Sequence, residues 1–352
     1  MQLLRQIRPR LYRVLGLALV LTAGTAHAEW FVRGREMEED RDFRLQLSVG
    51  SVRELDAVIQ ETTRKLYDVT GGYWKQATAE NYDLNDLGME DGYLSLGISL
   101  EKAWKYFSLQ FDTAFFQAES DAVARRDYYI EVGDDIVYQG QTYDQIQIPE
   151  GTPFTLDMTA LTLELRGLIT PFTFKAGENF RFTPWIDLGL FGFGGRYDID
   201  AGPVRGVTQY QDPPEDFTIG GRSSGYGGLG APEWGLGGEI RVGAEERLHF
   251  VLQGHYAVCE YHGGTEAVTV NEHREKTIDL DHSNTRIRGM LDIPLRAGRC
   301  LTVGAQYQLI DSEALISSSA TDPEEILAKR ERFDKEVDFR LETLQGFIGL
   351  TF

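Results

Sequence analysis

The residues suited to breaking a bond lie in two polar stretches of the chain. Asp279, Asp281 and His282 stand together in one, and Asp83, Asp86 and Asp91 in the other. A water held between carboxylates, beside a histidine oriented by an aspartate, attacks a carbonyl by general-base catalysis. Adjacency counts against this pair, because on a strand Asp281 and His282 point to opposite faces. No motif surrounds Asp83 and Asp86. Solvated acids are the plain reading, and no catalytic set is assigned.

Other chemistries find less. His249 and His255 alternate with apolar residues and read as polar filling of an interior, while His262 and His273 lack ligand spacing. Residues 221–230 are glycine-rich but lie between strands, with no phosphate loop opening a helix. No G-x-S-x-G elbow is present. Asp311, Glu313, Asp322, Glu324 and Glu325 are suited to gathering divalent cations such as calcium, without the EF-hand spacing. Neither a metal centre nor a cofactor is expected.

A third set of charged residues is paired in sign and evenly spaced. Glu164 and Arg166 are two apart, as are Glu239 and Arg241. Arg44, Asp112, Asp187, Arg286, Arg288 and Asp292 join them. Each sits on the polar face of a segment whose other face is apolar with period two. Ten such segments occur: residues 43–49, 94–100, 107–115, 161–167, 182–190, 234–242, 248–258, 286–295, 301–309 and 344–352. Period two means strands.

Connection lengths alternate. Short links at residues 101–105, 244–247 and 297–300, and a somewhat longer one at 170–179, interleave with long ones at 50–92, 116–158, 192–233, 259–284 and 310–338. A soluble sandwich has no reason to sort its loops by parity. A membrane barrel does, with short periplasmic turns and long extracellular loops.

The last strand carries a specific signal. Leu344, Ile348, Leu350 and Phe352 share one face, and the chain ends on the aromatic. An apolar terminal strand is an open edge that something must close. This stretch resembles the assembly signal of bacterial outer-membrane β-barrels. The resemblance implies insertion by the barrel-assembly machinery, handling by periplasmic chaperones, and contact with the lipid bilayer and lipopolysaccharide. The expected fold is all-β: a closed antiparallel transmembrane up-and-down barrel of ten strands, with the terminal strand paired to the first near Phe43. Aromatics at segment ends (Tyr93, Trp104, Tyr106, Phe107, Phe182, Trp234, Phe352) suit an interfacial girdle. Ten-stranded outer-membrane barrels include the omptin-like proteases, which carry rim acids and an Asp/His pair spaced by two on one face. The adjacent Asp281 and His282 depart from that spacing.

The N-terminus fits export. Arg5, Arg8, Arg10 and Arg13 precede a short apolar run, and Ala26-His27-Ala28 has the form of a cleavage site. Residues 1–28 therefore read as a signal peptide, 29–42 as a polar periplasmic segment, and 43–352 as the barrel. Loss of the four leader arginines takes the formal charge from −20 to −24, which argues against nucleic acid as a partner.

Two helices are expected in the loops, one where Val52, Leu55, Val58, Ile59 and Leu66 follow helical spacing, another from Asp322-Pro323 to about Lys335. Other loop stretches (Tyr128, Ile130, Val132; Ile136, Tyr138) read as hairpins continuing beyond the membrane. Cys259 and Cys300 fall at opposite ends of the barrel and should remain free thiols. A lumen of ten strands is nearly filled by its own side chains. The inward charges then read as a salt-bridged core, with a narrow ion path as the alternative. Function falls to the loops: adhesion, envelope integrity or ligand contact, with a pore second and a rim hydrolase third.

Overall fold

A computed structural model describes residues 31–35, 43–68, 73–83, 93–138, 141–177, 179–207, 215–243, 247–268, 273–295, 299–321 and 330–352. All secondary structure among them is β. The strands are β1 (Phe31–Arg33), β2 (Phe43–Asp68), β3 (Tyr73–Asp83), β4 (Tyr93–Ala103), β5 (Phe107–Val123), β6 (Tyr128–Tyr138), β7 (Gln141–Ile148), β8 (Pro153–Ile169), β9 (Phe172–Lys175), β10 (Phe180–Val207), β11 (Glu215–Val242), β12 (His249–Val268), β13 (His273–Pro294), β14 (Cys300–Thr321) and β15 (Arg330–Thr351).

Ten of them close a ring in the order β2, β4, β5, β8, β10, β11, β12, β13, β14, β15 and back to β2, each pair antiparallel. The closing seam joins the two ends of the domain. Thr351 lies opposite Arg44, and the Phe43 and Phe352 amides donate to each other's carbonyls at 2.9 Å. Their rings meet at 5.2 Å. The apolar terminal edge is thereby satisfied as a ladder rather than left to solvent.

Alternation sorts the two faces. Leu47, Val49, Leu96, Leu163, Leu188, Leu252, Ile287 and Ile348 point outward and are exposed, whereas Arg44, Gln46, Asp112, Glu164, Glu239, Arg286 and Gln345 point inward and are buried. An apolar exterior around a polar interior is the reverse of a water-soluble fold and the pattern of a barrel in lipid. Trp104, Tyr106, Phe107, Phe182, Trp234 and Phe352 lie exposed near the rims of that belt. Among the described residues no helix is long and apolar enough to cross a membrane; the chain crosses with strands.

One end of the ring is tight. Residues 104–106 join β4 to β5, and β9 lies within the β8–β10 turn. The polar segment before residue 43 contributes β1, which pairs with β9 (Phe31 opposite Phe174) and packs Phe31 between Phe172 and Phe174. Gly34, at φ +77°, then turns the chain so that its amide donates to the Pro171 carbonyl and the next to that of Lys105.

At the other end the strands outrun the membrane. β10 and β11 are 28 residues each, and β13, β14 and β15 are 22, against the roughly 9–11 a membrane-spanning strand requires. Much of what read as long connection is therefore strand. The helix expected over Val52 to Leu66 is a correction: β2 runs unbroken to Asp68. The pairing with β15 skips Arg53, since Glu342 faces Glu54 and Thr343 faces Val52. That bulge puts Val52 and Leu55, three apart, on the buried face, which mimics helical spacing. The second expected helix is corrected over residues 330–335, which are strand; its first part, 322–329, lies outside the described residues, as do residues 1–28.

Above the belt the ring parts. β11 pairs with β12 only from Trp234–Val258 to Val242–Phe250. Beyond Trp234, β11 stays with β10 alone, and β12 beyond Val258 stays with β13.

Candidate functional site

The lumen is packed in layers, each built by alternate residues of neighbouring strands. Next to the tight end, Arg35 enters the barrel from the turn after β1. Its guanidinium sits 2.7 Å from Glu101 and 3.3 Å from Glu239. Arg241 lies 3.5 Å from Glu239, and Gln253 donates to the same carboxylate at 2.8 Å. Arg44 approaches Glu101 at 3.7 Å and Asp292 at 3.8 Å. Asp292 also accepts from Thr302 and faces His249 at 3.3 Å. Three acids thus meet three arginines, and Arg35 supplies the third from outside the ring. Val251, Met290 and Phe347 form a small apolar patch above this layer.

The middle layer centres on Asp112. Arg166, Arg286 and Arg288 approach its two oxygens at 2.7, 2.6 and 2.7 Å. Arg286 also binds Glu164, which lies 3.5 Å from Arg166. Gln308 donates to Glu164, and Gln306 links Arg288 to Gln345. Between these groups is a cavity of about 20 Å³, lined by Gln46, Asp112, Thr162, Glu164 and Arg286, the size of a single water. Asp187, fully buried, lies 2.6 Å from His255 two strands away. Gly235 on the intervening strand makes that reach possible: a Cβ there would stand 2.6 Å from the Asp187 carboxylate.

Above lies a second polar cluster, around His282. His282 is fully buried inside the barrel, not at an open rim. Its Nδ1 meets the Ser312 hydroxyl at 2.6 Å and its Nε2 the Glu233 carboxylate at 2.7 Å, to which Asn284 also donates. Phe191 stacks on the ring at 4.9 Å. Serine, histidine and glutamate in series have the order of a nucleophile, base and orienting acid. Ser312 is buried too, and apolar Ala231, Cys259, Leu280 and Ala314 cluster on the same inner face where β11 and β12 part. His282, Glu233, Asn284 and Ser312 are all buried. Glu233 and Ser312 escaped notice because each falls beyond the end of a recognised segment. Their phase matched the inner face, and that was the available signal.

The remaining candidates separate. Asp279 stands exposed on the outer face, 2.9 Å from His262. Asp281 is exposed opposite Glu260 and Glu313, on the other face from His282, so strand phase splits the pair. Asp83 ends β3, and Asp86 lies outside the described residues. Cys259 and Cys300 are both buried and are not joined in a disulfide. Glu313, on the outer face beyond the belt, has its carboxyl pushed up by partial burial and by the charges of Asp338, Asp311 and Asp281.

The closed ring, apolar belt and polar packed interior define the class: a ten-stranded transmembrane β-barrel of the bacterial outer-membrane type. No protein-family model matches the chain, and no curated protein does. Among solved structures it is similar to the outer membrane protease OmpT from Escherichia coli, at 11% identity and a TM-score of 0.40 over 90% of this chain and 99% of that one. It is also similar to the β domain of the Bordetella autotransporter BrkA (10% identity, TM-score 0.25, 85% and 99% covered) and to a Pseudomonas aeruginosa FadL homologue (8%, 0.22, 88% and 90%). Likenesses this distant assign no activity.

Proposed function

We propose that this chain is a non-conducting barrel of the bacterial outer membrane that holds a raised β-structure at the cell surface for contact with ligands. The observation that carries this reading is the middle layer, where Asp112 is held by three arginines with room beside it for only one water. Charges in a narrow lumen persist when paired, and a permeating ion would have to break several of these pairs at once. The His282 cluster, buried on every side, is read as structural, so the protein is taken as non-enzymatic.

Under this reading residues 1–28 are removed on export, with cleavage after Ala28. The barrel-assembly machinery takes the terminal strand through Leu344, Ile348, Leu350 and Phe352, after delivery by periplasmic chaperones. The acidic outer face beyond the belt meets lipopolysaccharide through divalent cations. A narrow pore is the alternative. Planar-bilayer recording of the detergent-refolded mature protein separates the two. A silent bilayer from protein that migrates as a heat-modifiable barrel is expected; steady steps that change in Arg286→Ala would overturn the proposal.

A further inference from the structure

The two strands that part above the membrane leave long ladders with a partner on one side only. β11 beyond Trp234 pairs with β10 through Gly206–Glu215 and, among the described residues, has no strand on its other side. Its row of backbone donors and acceptors is a template for another strand. Pro232 lies two residues past the last β11–β12 pair while its pairing with Leu190 of β10 continues. That is the place for a residue lacking an N–H on an edge.

Composition says more about the partner. Six glycines fall between residues 220 and 230, and glycine within a strand often marks where another backbone comes close. Side chains at the base of the seam alternate. Ala231 and Cys259 are buried and apolar on the inner side, with Leu229 packed against them. Glu260 on the outer side belongs to a cross-strand row with Asp281, Glu313 and Asp338. Besides Glu233, which faces inward to His282, the two facing segments, 215–233 and 259–268, carry four carboxylates and one arginine. The raised carboxyl of Glu313 reflects the same crowding of negative charge.

We infer that β11 takes up an extended, cationic segment of another polypeptide as an added strand, its small apolar side chains toward Leu229 and Ala231 and its basic ones outward. This rests on the sealed-barrel reading and names the partner class of its raised end. Main-chain hydrogen bonds supply affinity in such an arrangement, and alternate side chains supply selectivity.

The test uses refolded full-length mature protein and a labelled eight-residue peptide of alternating lysine and valine, read by fluorescence anisotropy. Binding about tenfold tighter than for the glutamate–valine counterpart is expected, and methylation of alternate peptide nitrogens should weaken it about tenfold. Hydrogen exchange should show segment 215–233 exchanging readily alone and slowed with peptide. An N-methylated peptide that binds equally well would overturn strand addition, since charge alone would then explain the affinity. An edge already protected in the free protein would overturn it as well. Equal binding of the anionic peptide would overturn the cationic partner. Conductance steps in the bilayer would bring down the sealed-barrel reading whatever the peptides do; a silent bilayer with no peptide binding would remove this inference alone.

Discussion

At the scale of the residue, the decisive effect is what a buried charge costs when its partner is taken away. Asp112→Ala would leave Arg166, Arg286 and Arg288 facing one another with only Glu164 to answer them. Breaking a buried ion network costs about 3–5 kcal/mol even where the intact network adds little net stability. A marked fall in the urea midpoint of the refolded barrel is expected, with the bilayer still silent. Outside the belt the sign reverses. Glu313 holds its proton more tightly in the folded protein than in the unfolded chain, because burial and Asp338, Asp311 and Asp281 disfavour its charge. Stability from this site is therefore lost as pH rises through the raised value. Glu313→Gln should be slightly the more stable protein at pH 7, by no more than about 0.5 kcal/mol, because Glu313 is exposed and water screens its repulsions. The gap to the parent should close as pH falls below the ordinary carboxyl range, which paired thermal melts from pH 8 to pH 4 would check. Much of the interior could be read from sequence, since phase alone assigns Glu164, Arg166 and Arg286 to one face. Which arginine meets which acid could not, because that follows from barrel stagger and from gaps such as Gly235, which joins Asp187 to His255 across a strand.

At the scale of the element, the segment before the barrel shows how little sequence signal a keystone needs. β1 is three residues long, and its value lies in what it delivers: Arg35, the third cation of the lowest layer. Gly34 makes that delivery possible. At φ +77° a Cβ is strained, and one built there would stand 2.4 Å from the Lys105 carbonyl and 2.7 Å from the Tyr106 ring. Gly34→Val should unseat Arg35 at a cost of about 1–3 kcal/mol. Limited proteolysis should then cut between residues 29 and 42 in the variant well before the parent, the barrel remaining intact. Alternation revealed the strands where they face lipid, because there the apolar requirement is strict. It failed in β2 beyond Gly50, where a bulge resets the phase and a run of three-residue spacings imitates a helix. It also failed for β10 and β11 above the membrane, where water on the outer face removes the demand for apolar residues and glycine blurs the period.

At the scale of the whole molecule, strand length fixes how far the protein stands from the membrane. A strand of 28 residues such as β10 extends about 90 Å at roughly 3.3 Å per residue, and about 70 Å along the normal at a tilt near 40°. The apolar band takes up about 25 Å of this. Since the turns at the other end are short, nearly all the surplus rises on one side, about 40 Å above the lipid. Atomic force microscopy of the protein in a supported bilayer should show a protrusion of that height on one face and little on the other. β10 and β11 are the longest strands among the described residues, and their hairpin can be shortened without touching the belt. Gly195 lies directly opposite Gly227, so removing residues 196–226 and joining the ends through a two-residue turn keeps the register below. The shortened protein should still migrate as a heat-modifiable barrel, because the pairs from Phe180–Val242 to Gly195–Gly227 remain. Its protrusion should drop wherever the hairpin was the highest point. Loss of the folded form in that variant would mean that the raised hairpin is needed to hold the ring closed, and the division into a membrane anchor and a surface structure would have to be abandoned.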